Sequence, residues 1–158
     1  MSKELEIFKV LPVSQNRTKA FIRELRKYSK EFGWKAPKKS NYSYLSFMVV
    51  NTKNNEMVGG FILSGFSYYE DDFHFTLGAV FVKEEYRRQH IFKNIIVQYV
   101  KSHFAEYEVV IGAYGNNLTN QLIYEKSFGK PDSYASDGSV WYVVNKGITK
   151  ENEVEVDE

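Results

Sequence analysis

The change of apolar period after residue 82 constrains this chain most. HFTLGAVFV (74–82) is rich in β-branched and aromatic residues, whereas Phe92, Ile95, Ile96, Tyr99, Val100 and Phe104 recur at i, i+3, i+4, i+7, i+8 and i+12. The first run reads as a strand and the second as one face of a helix. EVVIGAY (108–114) follows, short and nearly all apolar, as a buried parallel strand should be.

The other segments extend this pattern. LEIFKVLPV (5–13) predicts a first strand stopped near Pro12, and Ser14 suits the N-cap of a helix over 15–32 that ends near Gly33. YLSFMVV (44–50), MVGGFILSGFSYY (57–69) and HFTLGAVFV read as an antiparallel meander. Asn117 can cap a helix over 118–127, and SYAS with SVWYVV closes the chain around a DG turn. The expected fold class is α+β (mixed α/β): a central mixed sheet of about six to seven strands flanked by about four helices.

The length of 158 residues suits one domain. Cysteine is absent, which excludes disulfides, thiolate zinc sites and a cysteine nucleophile, and fits a reducing compartment. The three histidines show no metal-ligand spacing, so no metal is expected. MSKELEIFKV lacks a signal-peptide pattern and no apolar run approaches a membrane span, so a cytoplasmic protein with no membrane partner is the default. Charge is uneven: residues 16–39 hold nine Lys/Arg against two Glu, and residues 147–158 hold five acids against one Lys. The tail reads as a disordered terminus. The basic segment is a solvated helix face or a surface for an acidic partner. With a formal net charge of +1 and no recognised motif, the sequence speaks against nucleic acid.

The chemistry concentrates at VKEEYRRQHIFKNII (82–96), where a strand gives way to a helix start beside Arg87 and Arg88. A helix start exposes unpaired N–H groups and a partial positive charge, and arginine can grip phosphate with two parallel bonds. Read alone, the segment is a phosphate cradle or a charged turn whose arginines pair with Glu84 and Glu85.

Val82, Tyr86 and Arg87-Arg88-Gln89-His90-Ile91-Phe92 stand where the GNAT superfamily of acyl-CoA-dependent N-acyltransferases carries Arg/Gln-x-x-Gly-x-Gly/Ala. Asn117, Tyr124-Glu125-Lys126 and Phe128-Gly129 match the spacing of a second family block, with Asn120 in place of the usual Ala and the last pair reversed. The chain resembles that family from about residue 44 onward. His90 and Phe92 replace the two glycines.

The resemblance implies a GNAT-like sheet with splayed central strands, a single acyl-CoA N-acyltransferase-like domain over 1–146 and an acidic tail over 147–158. It implies an N-acetyltransferase that moves an acetyl group from acetyl-CoA to a primary amine by direct attack in a ternary complex. Backbone groups of Val80, Phe81 and Val82 would hold the pantetheine. Arg87, Arg88, Gln89, His90, Ile91, Phe92 and Lys93 would hold the diphosphate, and Asn117 would touch the pantetheine arm or cap its helix. Tyr124 would reach the coenzyme and protonate the leaving sulfur. For the base, His74 has the right chemistry, with Asp71, Asp72 or a water chain as rivals; His103 is expected on the solvent side of its helix. The acceptor is not legible, and a homodimer is compatible with the fold. The competing reading is a catalytically inactive GNAT-like module that binds a protein or nucleic acid through its basic 16–39 segment.

Overall fold

The structure, a computed structural model, describes residues 7–32, 44–69, 72–115 and 117–147. Asp71, Lys35, Lys38, Lys39 and most of the acidic tail lie outside them. The described strands form one seven-stranded sheet in the order β1-β2-β3-β4-β5-β7-β6. They are β1 (Phe8–Pro12), β2 (Tyr44–Asn51), β3 (Glu56–Tyr69), β4 (Asp72–Val82), β5 (Glu108–Ala113), β6 (Ser133–Tyr134) and β7 (Val140–Asn145). The helices are α1 (Thr18–Phe32), α2 (Val97–His103) and α3 (Leu118–Phe128). The α+β class with a mixed sheet is therefore the one observed: β4 and β5 are parallel and β5 and β7 antiparallel.

Residues Met1–Ser64 with Gly78–Gln98 form one compact unit, and Gly65–Leu77 with Tyr99–Glu158 form another. In the first unit the buried face of α1 supplies Phe21, Leu25 and Tyr28 to a core shared with Met48, Val50, Met57, Ile62 and Phe81. The Tyr28 and Phe81 rings stack at 5.2 Å. Gly60 permits this packing, since a Cβ there would lie 2.6 Å from Phe21 Cε2 and 2.8 Å from Phe81 Cε1.

The second unit has its own aromatic centre, where Phe75 meets Phe104 and Tyr107 edge-on at 5.3 and 5.2 Å. Asn145 Nδ2 donates to the carbonyls of Phe104 and Tyr107 at 3.0 and 2.9 Å and fixes the turn between α2 and β5.

Two local features depart from the sequence expectation. Ser14 does not cap with its side chain; a 3-10 turn (Gln15–Arg17) precedes α1, and the Ser14 carbonyl accepts from the Arg17 N–H and the Thr18 hydroxyl. The second helix does not begin as a regular α-helix. Phe92–Ile96 forms a π-turn ahead of α2, and the Val97 N–H reaches back five residues to the Phe92 carbonyl. That extra residue widens the face the core receives: Ile91 and Val97 are buried with Ile95, Ile96 and Val100, while Phe92 is half-buried.

Candidate active site

The parallel register of β4 and β5 runs from His74↔Glu108 to Leu77↔Ile111, and β4 continues beyond it to Val82. Just past the register Ala79 adopts a left-handed φ of 50°. A residue in that region kinks a strand as a bulge does, and re-aims the side chains after it. Phe81, two residues after Ala79, meets Phe21 and Tyr28. Val80 and Val82 are half-buried beside it.

After Val82 the chain enters a 3-10 segment, Glu84–Gln89. Glu56 pins its start: it accepts from the Tyr86 hydroxyl at 2.9 Å and lies 3.6 Å from Lys83 Nζ. That hydrogen bond is the first cause pushing the Tyr86 phenol up from its ordinary pKa. Arg87 turns back on its own strand. Its Nε donates to the Val82 carbonyl at 2.9 Å, and its guanidinium lies 5.4 Å from the centre of the Tyr28 ring. Arg88, Gln89, His90 and Lys93 are exposed.

His90 has φ 59° and ψ 31°, the left-handed region. Glycine visits it freely; among other residues Asn, Asp and His are the enriched ones. The imidazole thus stands at a backbone shape that glycine favours, and its exposure places the ring outside the core. Asn94 N–H bonds back to the His90 carbonyl at 2.9 Å. Ile91, Phe92 and Lys93 precede that first backward bond, and amides at a helix start point toward its open end. Such amides, with Arg88 and Lys93 beside them, suit the oxygens of a diphosphate.

The remaining expected residues lie in the second unit. Asn117 caps α3, its side chain accepting from the Asn120 N–H at 3.1 Å. Tyr124 is buried on α3, against Tyr142 at 5.7 Å and Phe128 at 6.2 Å. Burial first, and Tyr142 second, push its phenol up to about 12. His74 is the third residue of β4, with Nδ1 3.1 Å from Oε1 of its register partner Glu108. Eight residues separate it from Val82, about 26 Å of extended chain. His103 is exposed and stacks on Tyr99 at 4.0 Å.

Within the first unit the structure thus joins Arg87 to Val82 and sets Arg88, His90 and Lys93 around one helix start. It does not bring His74 to that end of β4. Tyr28 and Glu56 escaped the sequence reading: each acts on a residue at least 27 positions away, and no local pattern marks such a partner. Among the described residues no group of three or more His, Cys, Asp or Glu could hold a metal ion, and no helix is long and apolar enough to cross a membrane.

No family model matches the sequence, and no curated protein does. Solved structures do. An acetyltransferase from Thermus thermophilus superposes with a TM-score of 0.64 at 14% identity, covering 86% of this chain and 95% of that one. A GNAT-family acetyltransferase from Staphylococcus aureus gives 0.59 at 14% identity, covering 87% and 99%. An aminoglycoside 6'-N-acetyltransferase from Acinetobacter baumannii gives 0.54 at 17% identity, covering 75% and 88%. At these identities the likeness is one of architecture, and the fold of this chain is that of the GNAT acetyltransferases.

Proposed function

We propose that the protein is an N-acetyltransferase that moves an acetyl group from acetyl-CoA to a primary amine, with both substrates bound at once. The observation that carries this reading is the left-handed backbone of His90 at the head of a helix, flanked by Arg88 and Lys93. It supports a diphosphate anchor even though an imidazole replaces the glycine hydrogen. Acetyltransferases of the same fold support the reaction class.

When bound, acetyl-CoA supplies a thioester already activated for attack. Arg88, Lys93 and the amides of Ile91, Phe92 and Lys93 bind the diphosphate in this reading. Arg87 holds the loop to Val82, while Val80 and Val82 offer backbone groups to the pantetheine. Tyr124 keeps its proton at neutral pH, because its phenol is pushed up to about 12. Full transfer to a thiolate of ordinary pKa near 8.5 is then uphill by about 3.5 units, roughly 5 kcal/mol. Tyr124 therefore acts as a hydrogen-bond donor to the leaving sulfur more than as a full acid. The amine's proton passes to water, one of the acceptors the sequence leaves open, since His74 pairs with Glu108 at the start of β4.

Millimolar acetyl-CoA should raise the melting temperature, with a matching calorimetric isotherm. A thiol-release assay over an amine panel comes next. Absence of both the shift and the isotherm overturns the reading. The stripe Lys19, Arg23, Arg26 and Lys27, all exposed on α1 at i, i+4, i+7 and i+8, favours a second one: a non-catalytic module for an acidic partner. Salt-sensitive binding to a polyanion, with no response to coenzyme, would distinguish it.

A further inference from the structure

Three asparagines build the turn that ends at Glu56, the first residue of β3. Asn51 and Asn54 each accept with Oδ1 from the backbone N–H two residues on, that of Lys53 and that of Glu56, both at 3.0 Å. Asn55 takes a left-handed φ of 59°, a region asparagine tolerates, and its N–H donates to the Asn51 carbonyl at 2.8 Å. Its own carbonyl accepts from Arg17 Nη2 at 2.6 Å. The backbone that carries Glu56 is thus held by its own turn and by the residue that precedes α1.

From that frame the carboxylate reaches the segment after β4. Oε2 accepts from the Tyr86 hydroxyl at 2.9 Å, and Oε1 lies 3.6 Å from Lys83 Nζ. The Tyr86 N–H donates to the Lys83 carbonyl at 2.8 Å, so one carboxylate holds both ends of a single turn. The Lys83 pair is partly exposed, and such pairs contribute little. A hydroxyl bonded to a charged acceptor is the stronger contact. The Tyr86 ring also meets Phe8 of β1 edge-on at 5.8 Å. Tyr86 and Arg87 are consecutive, yet different parts of the unit hold them. Arg87 is held by the Val82 carbonyl and the Tyr28 ring of α1, and Tyr86 by β1 and the head of β3. Arg88 and Gln89, both exposed, separate these anchors from His90, so a shift of Tyr86 passes to the helix start through a short stretch of backbone.

We infer that Glu56 is a positioning residue for the coenzyme, a role that rests on the acetyl-CoA reading above. Through the Tyr86 hydroxyl it fixes where the amides of Ile91, Phe92 and Lys93 stand, and it acts on the loop rather than on the ligand. A loop already held in its binding shape loses less freedom when the diphosphate arrives, so the hydrogen bond appears as coenzyme affinity. The β2–β3 turn is thereby part of the coenzyme site, although no residue of it stands in the motif that marks that site in the sequence.

The test uses the full chain and acetyl-CoA, with affinity read by calorimetry well below the melting temperature of each variant. Glu56→Ala and Tyr86→Phe should each weaken binding about threefold to tenfold. The double variant should bind no more weakly than Glu56→Ala, because both changes break one bond. Glu56→Gln keeps an oxygen for the Tyr86 hydroxyl and should recover most of the loss. Should Glu56→Ala not fold, Tyr86→Phe, which keeps its ring against Phe8, and Glu56→Gln still decide the matter. Unchanged affinity in Tyr86→Phe, at whatever melting temperature, confines the contact to folding and overturns the assignment while the transferase reading stands. Additive losses in the double variant, or a Glu56→Gln as weak as Glu56→Ala, overturn it as well. A wild-type chain that does not bind acetyl-CoA overturns both readings together.

Discussion

The guanidinium of Arg87 lies 5.4 Å from the centre of the Tyr28 ring and donates from Nε to the Val82 carbonyl at the end of its own strand. A side chain held at two points has lost most of its rotamer freedom before any ligand arrives, which lowers the cost of ordering the loop on binding.

Tyr28→Leu therefore weakens coenzyme binding without removing a coenzyme contact. A cation–π contact at a partly wet site contributes about 0.5–1 kcal/mol, so affinity should fall about two- to fivefold. Calorimetry against acetyl-CoA reads this directly. Arg87→Ala should cost more, since it removes the Val82 bond as well. Equal affinity in Tyr28→Leu and the wild type would show that the ring does not position the loop.

His90→Gly should stabilise the chain. A non-glycine residue in the left-handed region costs roughly 1–2 kcal/mol, and the greater freedom of glycine in the unfolded state returns part of that, leaving a net gain of about 0.5–1 kcal/mol. The melting temperature should rise by about 2–4 °C per kcal/mol. His90→Val, β-branched at φ 59°, should fall by more than glycine gains. Coenzyme affinity in His90→Gly should hold or improve; a large loss would mean that the imidazole itself binds the diphosphate.

Much of this arrangement was legible before any coordinates. The strand-to-helix switch at 82–92 rests on local periodicity, and local periodicity survives folding. The capping role of Asn117 follows from its own side chain and the N–H three residues on. The π-turn over Phe92–Ile96 was hidden because one inserted residue moves the buried face without breaking the apolar pattern that announces it. Tyr28 carries no local mark of its contact with Arg87, 59 residues away.

Asn117→Ala separates two roles. If the side chain serves as the cap of α3, its loss should destabilise the protein by about 1 kcal/mol and leave coenzyme affinity unchanged. Urea titration and calorimetry on the same sample decide it. Lost affinity at unchanged stability would instead place the amide on the pantetheine.

Tyr124 couples the second unit to pH in a defined direction. Its folded-state phenol is pushed up to about 12, above the ordinary value of 10.0, mainly by burial beside Tyr142. The neutral form is thus favoured by folding. The contribution is fully present below pH 10 and is lost as pH rises toward 12. Two units correspond to about 3 kcal/mol, on the order of a third of a typical domain's stability. Chemical denaturation across that window should show wild-type stability falling by an amount of this order beyond what Tyr124→Phe loses. At pH 7 the Phe variant should be folded and bind coenzyme as tightly, but turn over more slowly if the hydroxyl serves the leaving sulfur. An unchanged rate would remove Tyr124 from the reaction, and parallel alkaline profiles would mean that its hydroxyl is better solvated than its 8% exposure implies.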